Sequence, residues 1–351
     1  MTVLLISFVF VVAFLIAIKK SKIELDTAIF FSFGYLLYCG FRDITSGEDS
    51  INYFNNYFLT AHNYNSILEL LLSDDVFFKL INYFLLFFSS DWYFYSSVMA
   101  VICLFLVIKI NKTYFKLKKA YFFLALLVTN PIFIENTTNI LRTTLCCLIL
   151  MLGYLKYEQN KTKGFIITFI GFLTHYFQGT IILCLYILSR INIIRTKKHL
   201  TLFNISLLII LFLKTFTTIF YNKYISVFAE SLNLYLSENN IINYTLKQML
   251  SDKILISVNV FSQILLYVVC PLFLIKFEDL NLRHKKLLNL LVVTLSSYLL
   301  LSPQFILALR LMPICILAAT YIFIIEMNKK KLIYVFSIIF FNCVLAIYNL
   351  N

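Results

Sequence analysis

The sequence is poor in the residues that build soluble domains and phosphate-binding loops. Only 13% of its 351 residues are charged, and it has seven glycines and four prolines, whereas a soluble domain carries about 25% charged residues. It contains no G-x-x-x-x-G-K-[ST] and no H-E-x-x-H motif, which argues against a P-loop nucleotide site and a zinc hydrolase site. Its eight cysteines show neither C-x-x-C nor metal-type spacing. We therefore expect no metal ion and no cofactor, and arginine is left as the natural ligand for an anion.

Long apolar runs dominate the chain instead. Hydrophobic residues make up 61% of it and aromatic residues 17%. The runs cover 2–18, 25–41, 93–110, 120–134, 139–155, 164–189, 200–221, 254–275, 287–302, 304–326 and 332–348. Runs of about 17–25 apolar residues are typical of membrane-spanning helices. The sequence therefore predicts an all-α fold, a polytopic helical membrane protein.

Basic residues are sorted into six clusters between these runs. The clusters hold 22 of the 30 Lys and Arg residues: Lys19/Lys20/Lys22, Lys109/Lys112/Lys116/Lys118/Lys119, Lys156/Lys161/Lys163, Arg190/Arg195/Lys197/Lys198, Lys276/Arg283/Lys285/Lys286 and Lys329/Lys330/Lys331. Short basic segments between apolar runs are the pattern of cytoplasmic loops. The net charge of +13 is therefore explained by membrane topology, and we expect no nucleic-acid partner.

All six clusters are cytoplasmic if 76–90 does not cross the membrane and 164–189 returns to the side it came from. The first segment is short and carries Lys79, which favours a partly inserted or interfacial helix. The second is too short for two crossings and predicts a re-entrant hairpin with His175 near its turn. Such a hairpin is tolerated where protein or a watery cavity surrounds it.

These conditions give one transmembrane domain over 1–351, with about ten full spans, one re-entrant hairpin and both termini outside. Its large outer segments are 42–91, partly interfacial, and 222–253. If 76–90 crosses instead, the loop at 42–75 becomes cytoplasmic. The topology therefore depends on that one segment.

Three arginines stand apart from the clusters, in or beside apolar runs. Arg42 follows the second run, Arg142 lies near the outer end of 139–155, and Arg310 lies within 304–326. A charge at such a position costs a few kcal/mol and usually pairs or binds. Glu135 is a structural partner available to Arg142, and the alternative is an anionic ligand such as phosphate. Pro313 predicts a local break in the backbone beside Arg310.

Acidic and histidine side chains supply the candidates for acid–base chemistry. Glu48 and Asp49 follow Gly47 and precede Tyr53 at the predicted outer interface. This segment is either a solvated loop with interfacial aromatics or the place of a general base. His175 is either a hydrogen-bonded structural residue or a group that binds phosphate or sugar, or moves a proton.

In this order the residues resemble a known family. The order is Arg42-Asp43, Gly47-x-Asp49-x-x-x-Tyr53, Leu80-Ile81-Asn82-Tyr83, Asn139 with Arg142, Phe172-Leu173-Thr174-His175-Tyr176 and Arg310-Leu311. It resembles the Wzy-type, EpsG-like polymerases of bacterial surface polysaccharide. The chain departs from the pattern at Thr143-Thr144, where that family more often has Gln or small residues.

The resemblance implies a GT-C-like membrane glycosyltransferase in the bacterial cytoplasmic (inner) membrane, with its active site facing outward. Its substrate would be an oligosaccharide repeat unit of O-antigen, capsule or exopolysaccharide on undecaprenyl diphosphate. Its partners would be this lipid, the bilayer, and a chain-length regulator and flippase. Arg42, Arg142, Arg310 and Tyr53 would then bind the diphosphate or substrate, with Asp49, Glu48 and His175 as candidate catalytic groups.

Other functions stay open at this stage. A related enzyme would add single sugars from a polyprenyl phosphate sugar. A lipid-linked oligosaccharide flippase would more often show two related halves and charges through both leaflets, whereas the isolated charges here gather toward one face. A membrane acyltransferase would use His175 as its catalytic residue.

Overall fold

A computed structural model of the chain describes residues 23–46, 49–64, 67–114, 130–191, 193–209, 277–301 and 310–325, with isolated positions at 124, 127, 128, 272 and 275. These parts are helical and contain no strand, which confirms the all-α prediction. The longer helices are α1 (Ile23–Gly40), α2 (Ile67–Leu72), α3 (Val76–Leu86), α4 (Trp92–Tyr114), α5 (Pro131–Asn139), α6 (Leu141–Tyr157), α7 (Lys161–Thr174), α8 (Tyr176–Ser189), α9 (Leu282–Leu301) and α10 (Met312–Ile325). Short helical turns cover Ile44–Ser46, Ser50–Asn52, Tyr53–Phe58, Ala61–Asn63 and Phe277–Asp279.

Two places within the described residues satisfy the length and hydropathy of a membrane span. Trp92–Thr113 does so by itself, and Phe133–Asn139 with Leu141–Tyr157 does so as a pair bent by 119°. The predicted count of about ten spans stays a prediction, as does the GT-C-like architecture. The predicted runs at 2–18 and 332–348, the run 254–275 apart from positions 272 and 275, and the predicted outer segment 222–253 lie outside the described residues.

Helix α6 is the central element of the described fold. Thirteen of its seventeen residues are buried, from Leu141 through Leu155, as expected for a helix covered on all sides. It packs against α4, α7, α8 and α10. A polar group carried on α6 is therefore held in place by several neighbouring elements.

The predicted run 120–134 does not form one continuous helix, because the backbone breaks at Asn130. Asn130 adopts extended geometry and its side chain accepts a hydrogen bond from Phe133 N, so α5 starts at Pro131. Proline suits the first turn of a helix and disfavours helical geometry in the residue before it. A second break at Ile140 ends α5 and starts α6, which puts Arg142 in the first turn of the new helix.

The predicted reversal at His175 is confirmed. A Cβ on Gly179 would lie 3.0 Å from Phe172 Cα, a distance that two residues seven apart in one continuous helix cannot reach. Along α6, Gly171 of α7 lies against Leu150, and Gly164 lies against Tyr157. On α8 the order is opposite, because the His175 carbonyl at its start lies beside Cys146, whereas Tyr186 near its end packs against Tyr154 with ring centroids 4.7 Å apart.

Both ends of this hairpin lie beside the carboxyl end of α6, and its tip lies near the other end. Gly164 packs on the backbone of Tyr157, and the guanidinium of Arg190 lies 4.8 Å from the centre of the Tyr157 ring. At the tip, Cys146 Sγ lies 3.9 Å from the His175 carbonyl oxygen. Eleven positions separate Cys146 from Tyr157, or about 16 Å along the helix, roughly half the thickness of a bilayer core. This geometry matches the depth predicted for a re-entrant hairpin.

Helix α3 is the part of 76–90 that the structure forms as a helix. Its eleven residues rise about 16 Å, too little to cross a bilayer core of about 30 Å. It packs against α7, so the segment 42–91 reaches the hairpin. This contact joins two elements that are more than seventy residues apart in the chain.

Helix α10 begins later than the predicted run 304–326. Arg310 lies in a turn immediately before it, and Pro313 lies in its first helical turn, where a missing N–H costs little. Arg310 thus lies directly before the start of a helix. The break expected beside Pro313 is present, on its amino-terminal side.

Candidate functional site

Asp75 occupies a backbone conformation unlike that of its neighbours. With φ 52° and ψ 39° it lies in the left-handed region, and it is the sole non-glycine residue of the described part with positive φ. Aspartate tolerates this region better than most residues, but the position still stores strain. Such conformations occur preferentially at functional sites.

The carboxylate of Asp75 joins three separate segments. Its Oδ2 accepts a hydrogen bond from Arg142 Nη1, and its Oδ1 accepts one from the backbone N–H of Tyr176 at 2.9 Å. The same Arg142 nitrogen donates to the Tyr57 hydroxyl at 2.8 Å. Asp75 is 4% exposed, so this ion pair lies in the interior of the protein.

His175 completes what we call the Asp75 cluster, namely Asp75, Arg142, His175 and Tyr57. Its Nδ1 lies 3.3 Å from Asp75 Oδ1. The ring N–H is not aligned with the carboxylate, and neither ring nitrogen has a hydrogen-bond partner among the described residues. His175 is 6% exposed, and a buried polar atom without a partner is costly unless a ligand or a movement satisfies it. The imidazole therefore lies next to the Asp75 carboxylate without a hydrogen bond to it.

Electrostatics keep Asp75 ionised. Burial by itself would raise its pKa, but the contact with His175 and the positive charge of Arg142 outweigh burial and hold the pKa below its usual value. At neutral pH the cluster therefore contains a carboxylate paired with a guanidinium.

Local structure explains how Arg142 and His175 reach Asp75. Arg142 stands in the first turn of α6, just after the break at Ile140. His175 is extended, with φ −158° and ψ 96°, between two helices. Both side chains are therefore carried at helix starts rather than along helix faces, and these starts converge where α3 also begins.

Arg310 approaches the cluster from α10. Its carbonyl oxygen accepts a hydrogen bond from the buried side chain of Gln178 at 3.1 Å. Its charge acts on both His175 and Tyr53. The structure thus brings a second solitary arginine to the same region as Arg142.

Tyr53 lies in the core next to the cluster rather than on an open surface. It is 6% exposed and its ring centroid lies 5.9 Å from that of Tyr57. Burial raises its pKa to about 12, against the lowering effect of Arg142. Asp49 is partly exposed, and its charge also reaches Tyr53. Glu48 lies outside the described residues.

Arg42 has a different environment. Its Nη2 donates to the Thr138 carbonyl at 2.6 Å and its Nη1 to Asn139 Oδ1 at 3.4 Å. The guanidinium lies 5.2 Å from the centre of the Trp92 ring, and Trp92 Nε1 donates to the Arg42 carbonyl at 2.8 Å. Arg42 therefore fastens the end of α1 to α4 and α5.

Sequence reasoning missed Asp75, and of the two alternatives that it left open for Arg142, an acid and an anionic ligand, it offered the wrong acid. The acid that binds Arg142 is Asp75, 67 positions away, and not the nearby Glu135. A usable signal existed, since Asp75 directly precedes the apolar segment predicted to lie at the interface. Among the described residues, no three His, Cys, Asp or Glu side chains are grouped to hold a metal ion.

Taken together, the helices and the buried Asp75 cluster define a helical membrane protein with an internal cationic site. The chain belongs to the EpsG family, whose model matches residues 25–351, nearly its whole length. EpsG is a Wzy-like polymerase family, which confirms the resemblance in the sequence. No curated protein and no solved structure matches the chain.

Proposed function

We propose that this protein polymerises oligosaccharide repeat units linked to undecaprenyl diphosphate, at the outer face of the bacterial cytoplasmic membrane. The bond between the growing chain and its lipid diphosphate breaks, and a new glycosidic bond forms to a hydroxyl of the next lipid-linked unit. That hydroxyl gives up its proton to a base, and undecaprenyl diphosphate leaves. Family membership supports a polysaccharide polymerase-like function, and the residues around Asp75 support the detailed steps.

The observation that carries this proposal is that the Arg142 guanidinium makes its hydrogen bonds to the described residues of the protein through only one of its three nitrogens. Tyr57 and Asp75 both engage Nη1, and Nε has no partner among the described residues. The side chain keeps 17% of its surface exposed. The Nε and Nη2 edge of a guanidinium matches two oxygens of a phosphate. We assign that edge to the donor diphosphate.

Arg310 provides the second positive charge. Negative charge on the diphosphate rises as the glycosidic bond breaks, and groups fixed in advance around that charge lower the barrier. Arg310 is held through its backbone by Gln178, so its position is set by the hairpin that also carries His175. The two arginines would therefore surround the leaving group together.

His175 is our choice for the base that takes the proton from the acceptor hydroxyl. Its Nε2 is buried and unpartnered within the described part of the chain, and a carboxylate stands beside its other nitrogen. Asp49 is the alternative base, because it is a partly exposed acid whose charge reaches the same core tyrosine, Tyr53. In this proposal the buried Tyr53 packs against Tyr57 of the site, and Arg42 holds the end of α1 against α4 and α5 nearby.

A deletion strain complemented with variants tests the reaction. Repeat units linked to lipid should accumulate unpolymerised in the deletion strain, and wild type should restore long chains. Arg142→Ala and Arg310→Ala should each lower polymer about a hundredfold or more, with the protein still present in the membrane. Arg190→Ala is the matched control, since Arg190 lies over Tyr157 at the far end of the hairpin.

Each competing function gives a different result in the same strain. Loss of one sugar from every repeat unit would identify a single-sugar transferase. Repeat units confined to the cytoplasmic leaflet would identify a flippase. Long polysaccharide from both Arg142→Ala and Arg310→Ala strains would refute the diphosphate site. A chain-length regulator or flippase partner would be tested by co-purification from the same membranes.

A further inference from the structure

We propose that Asp75 is a positioning residue for this reaction: its carboxylate orients His175 and fixes Arg142 so that only one edge of the guanidinium faces the donor. The proposal rests on the proposed function. It concerns a residue that belongs to none of the motifs in the sequence. It follows from three contacts that converge on one buried side chain.

The first contact sets the arginine. Arg142 Nη1 is bound to Asp75 Oδ2 and to the Tyr57 hydroxyl, and the guanidinium also lies 5.1 Å from the centre of the Tyr57 ring. A planar group held at one nitrogen and against one ring has little freedom to rotate. Its Nε and Nη2 edge is then presented in one orientation before the lipid arrives. Such preorganisation is what makes electrostatic stabilisation effective.

The second contact sets the histidine. Asp75 Oδ1 lies 3.3 Å from His175 Nδ1, so a rotation that aligned the ring N–H with the oxygen would complete a hydrogen bond. Catalytic hydrogen bonds are often loose in a free enzyme and tighten when substrate binds. A carboxylate at Nδ1 favours the tautomer that carries its proton there, so that Nε2 is the basic nitrogen. Like Nδ1, that nitrogen has no hydrogen-bond partner among the described residues, but it has no carboxylate beside it.

The third contact fixes Asp75 itself. Oδ1 also accepts the Tyr176 backbone N–H at 2.9 Å, at the start of α8. On its other side, Lys79 N donates to the Asp75 carbonyl at 3.1 Å in the first turn of α3. The carboxylate is therefore positioned by backbone on both elements, which is unlike a surface ion pair between two flexible side chains. This rigidity suits a residue that acts by placing other groups.

The charged groups facing His175 are Asp75 from the outer segment, Arg142 from α6 and Arg310 from the start of α10. Asp75 is the one negative charge of this set. Removing it leaves two cations beside the imidazole, which makes its protonation harder. For a neutral imidazole base, the acidic limb of the pH–rate profile should then move to lower pH.

The test compares Asp75→Asn, Asp75→Glu and Asp74→Asn in full-length protein reconstituted in liposomes. The substrate is the lipid-linked repeat unit that accumulates in the deletion strain. Asp74 is a close control, because it is the adjacent residue but is exposed and pairs with Lys79 at 2.5 Å. Asp75→Asn should lower the rate about a hundredfold and shift the acidic limb to lower pH, whereas Asp74→Asn should keep the wild-type rate and profile.

Asp75→Glu keeps the charge and displaces it by one methylene. A displacement of about 1 Å can cost a hundredfold in rate, so this variant should be slower than wild type with its acidic limb unmoved. It also carries the test if Asp75→Asn is not recovered from membranes. A wild-type rate for either Asp75 variant, or an Asp75→Asn profile whose acidic limb does not move, would overturn the proposal. Failure of wild type to extend the repeat unit would instead refute the proposed function.

Discussion

Arg42 and Arg142 look alike in sequence and differ in the folded protein. Each is a solitary arginine at the end of an apolar run, and each guanidinium lies over an aromatic ring, at 5.2 Å from Trp92 and 5.1 Å from Tyr57. Arg42 bonds a carbonyl and an amide through both terminal nitrogens. Arg142 uses one terminal nitrogen, on a hydroxyl and a carboxylate.

This difference separates two uses of a buried cation. Arg42 satisfies neutral acceptors that the end of α5 leaves unpaired, which is a structural task at a helix terminus. Arg142 is neutralised by Asp75. Nε has no partner in the described residues for either arginine, but Arg142 makes its hydrogen bonds through one terminal nitrogen where Arg42 uses two. A guanidinium paired with a carboxylate still has N–H donors for an anion, and in the proposed site the positive charge of Arg310 offsets the charge of that anion. Both arginines are isolated in the sequence, so isolation does not distinguish a structural arginine from a ligand-binding one. The hydrogen-bond partner does: neutral acceptors for Arg42 and a carboxylate for Arg142.

The largest expected effect comes from replacing each arginine with lysine. Lysine keeps the charge and loses the planar fork. We expect Arg142→Lys to lower the polymerisation rate about a hundredfold, because two oxygens of the diphosphate lose their matched donors. Arg42→Lys should lower the melting temperature in detergent and leave most of the rate per folded molecule. The measurement is chain extension in liposomes alongside thermal unfolding of the same preparations.

The opposite pattern would break the comparison. If Arg42→Lys abolished extension with an unchanged melting temperature, Arg42 would belong with the substrate, as the sequence first predicted. If Arg142→Lys only lowered the melting temperature, the Asp75 pair would be structural. Arg190→Lys, at the far end of the hairpin, controls for the general effect of changing an arginine.

Features of the fold and site that depend on neighbouring residues could be predicted from the sequence, whereas contacts between residues far apart in the chain could not. The reversal at His175 was predicted because the charge clusters on both sides of 164–189 limit where that segment can go. The breaks at Asn130 and before Met312 come from local proline chemistry. In the sequence, nothing but its place before an apolar segment distinguishes Asp75 from the other acidic residues of 42–91. Its partners are 67 and 101 positions away, and a single sequence carries no record of such a contact.

A smaller effect should follow from removing the hydroxyl that accepts a hydrogen bond from Arg142, or the indole N–H that donates one to the Arg42 carbonyl. Tyr57→Phe removes the hydroxyl that accepts from Arg142 Nη1, and Trp92→Phe removes the N–H that binds the Arg42 carbonyl. One such hydrogen bond contributes about 0.5–1.5 kcal/mol. If the Tyr57 bond serves the transition state, its loss should slow extension about two- to tenfold.

Trp92→Phe should cost a similar free energy in stability and leave the rate per folded molecule unchanged. Each variant is therefore the control for the other, measured in the same two assays. Equal losses of rate in both variants would mean that the two arginine environments act as one unit. Equal losses of stability alone would remove Tyr57 from the catalytic site.

The smallest effect is the pH dependence that distinguishes a carboxylate partner from neutral ones. The pKa of Asp75 is lowered in the folded protein, so its contribution to stability is fully present above an unfolded value of about 3.9 and is lost as pH falls through the lower folded value. The melting temperature of wild type should therefore exceed that of Asp75→Asn at neutral pH, and the part of this margin that comes from the carboxylate should be lost below about pH 4. Trp92→Phe provides the neutral comparison, because no ionisation is lost near Arg42 and its deficit should stay constant over the same range. A margin for Asp75→Asn that persisted unchanged at acid pH would mean that the side chain stabilises the fold by shape and hydrogen bonding, and that Arg142 does not depend on its charge.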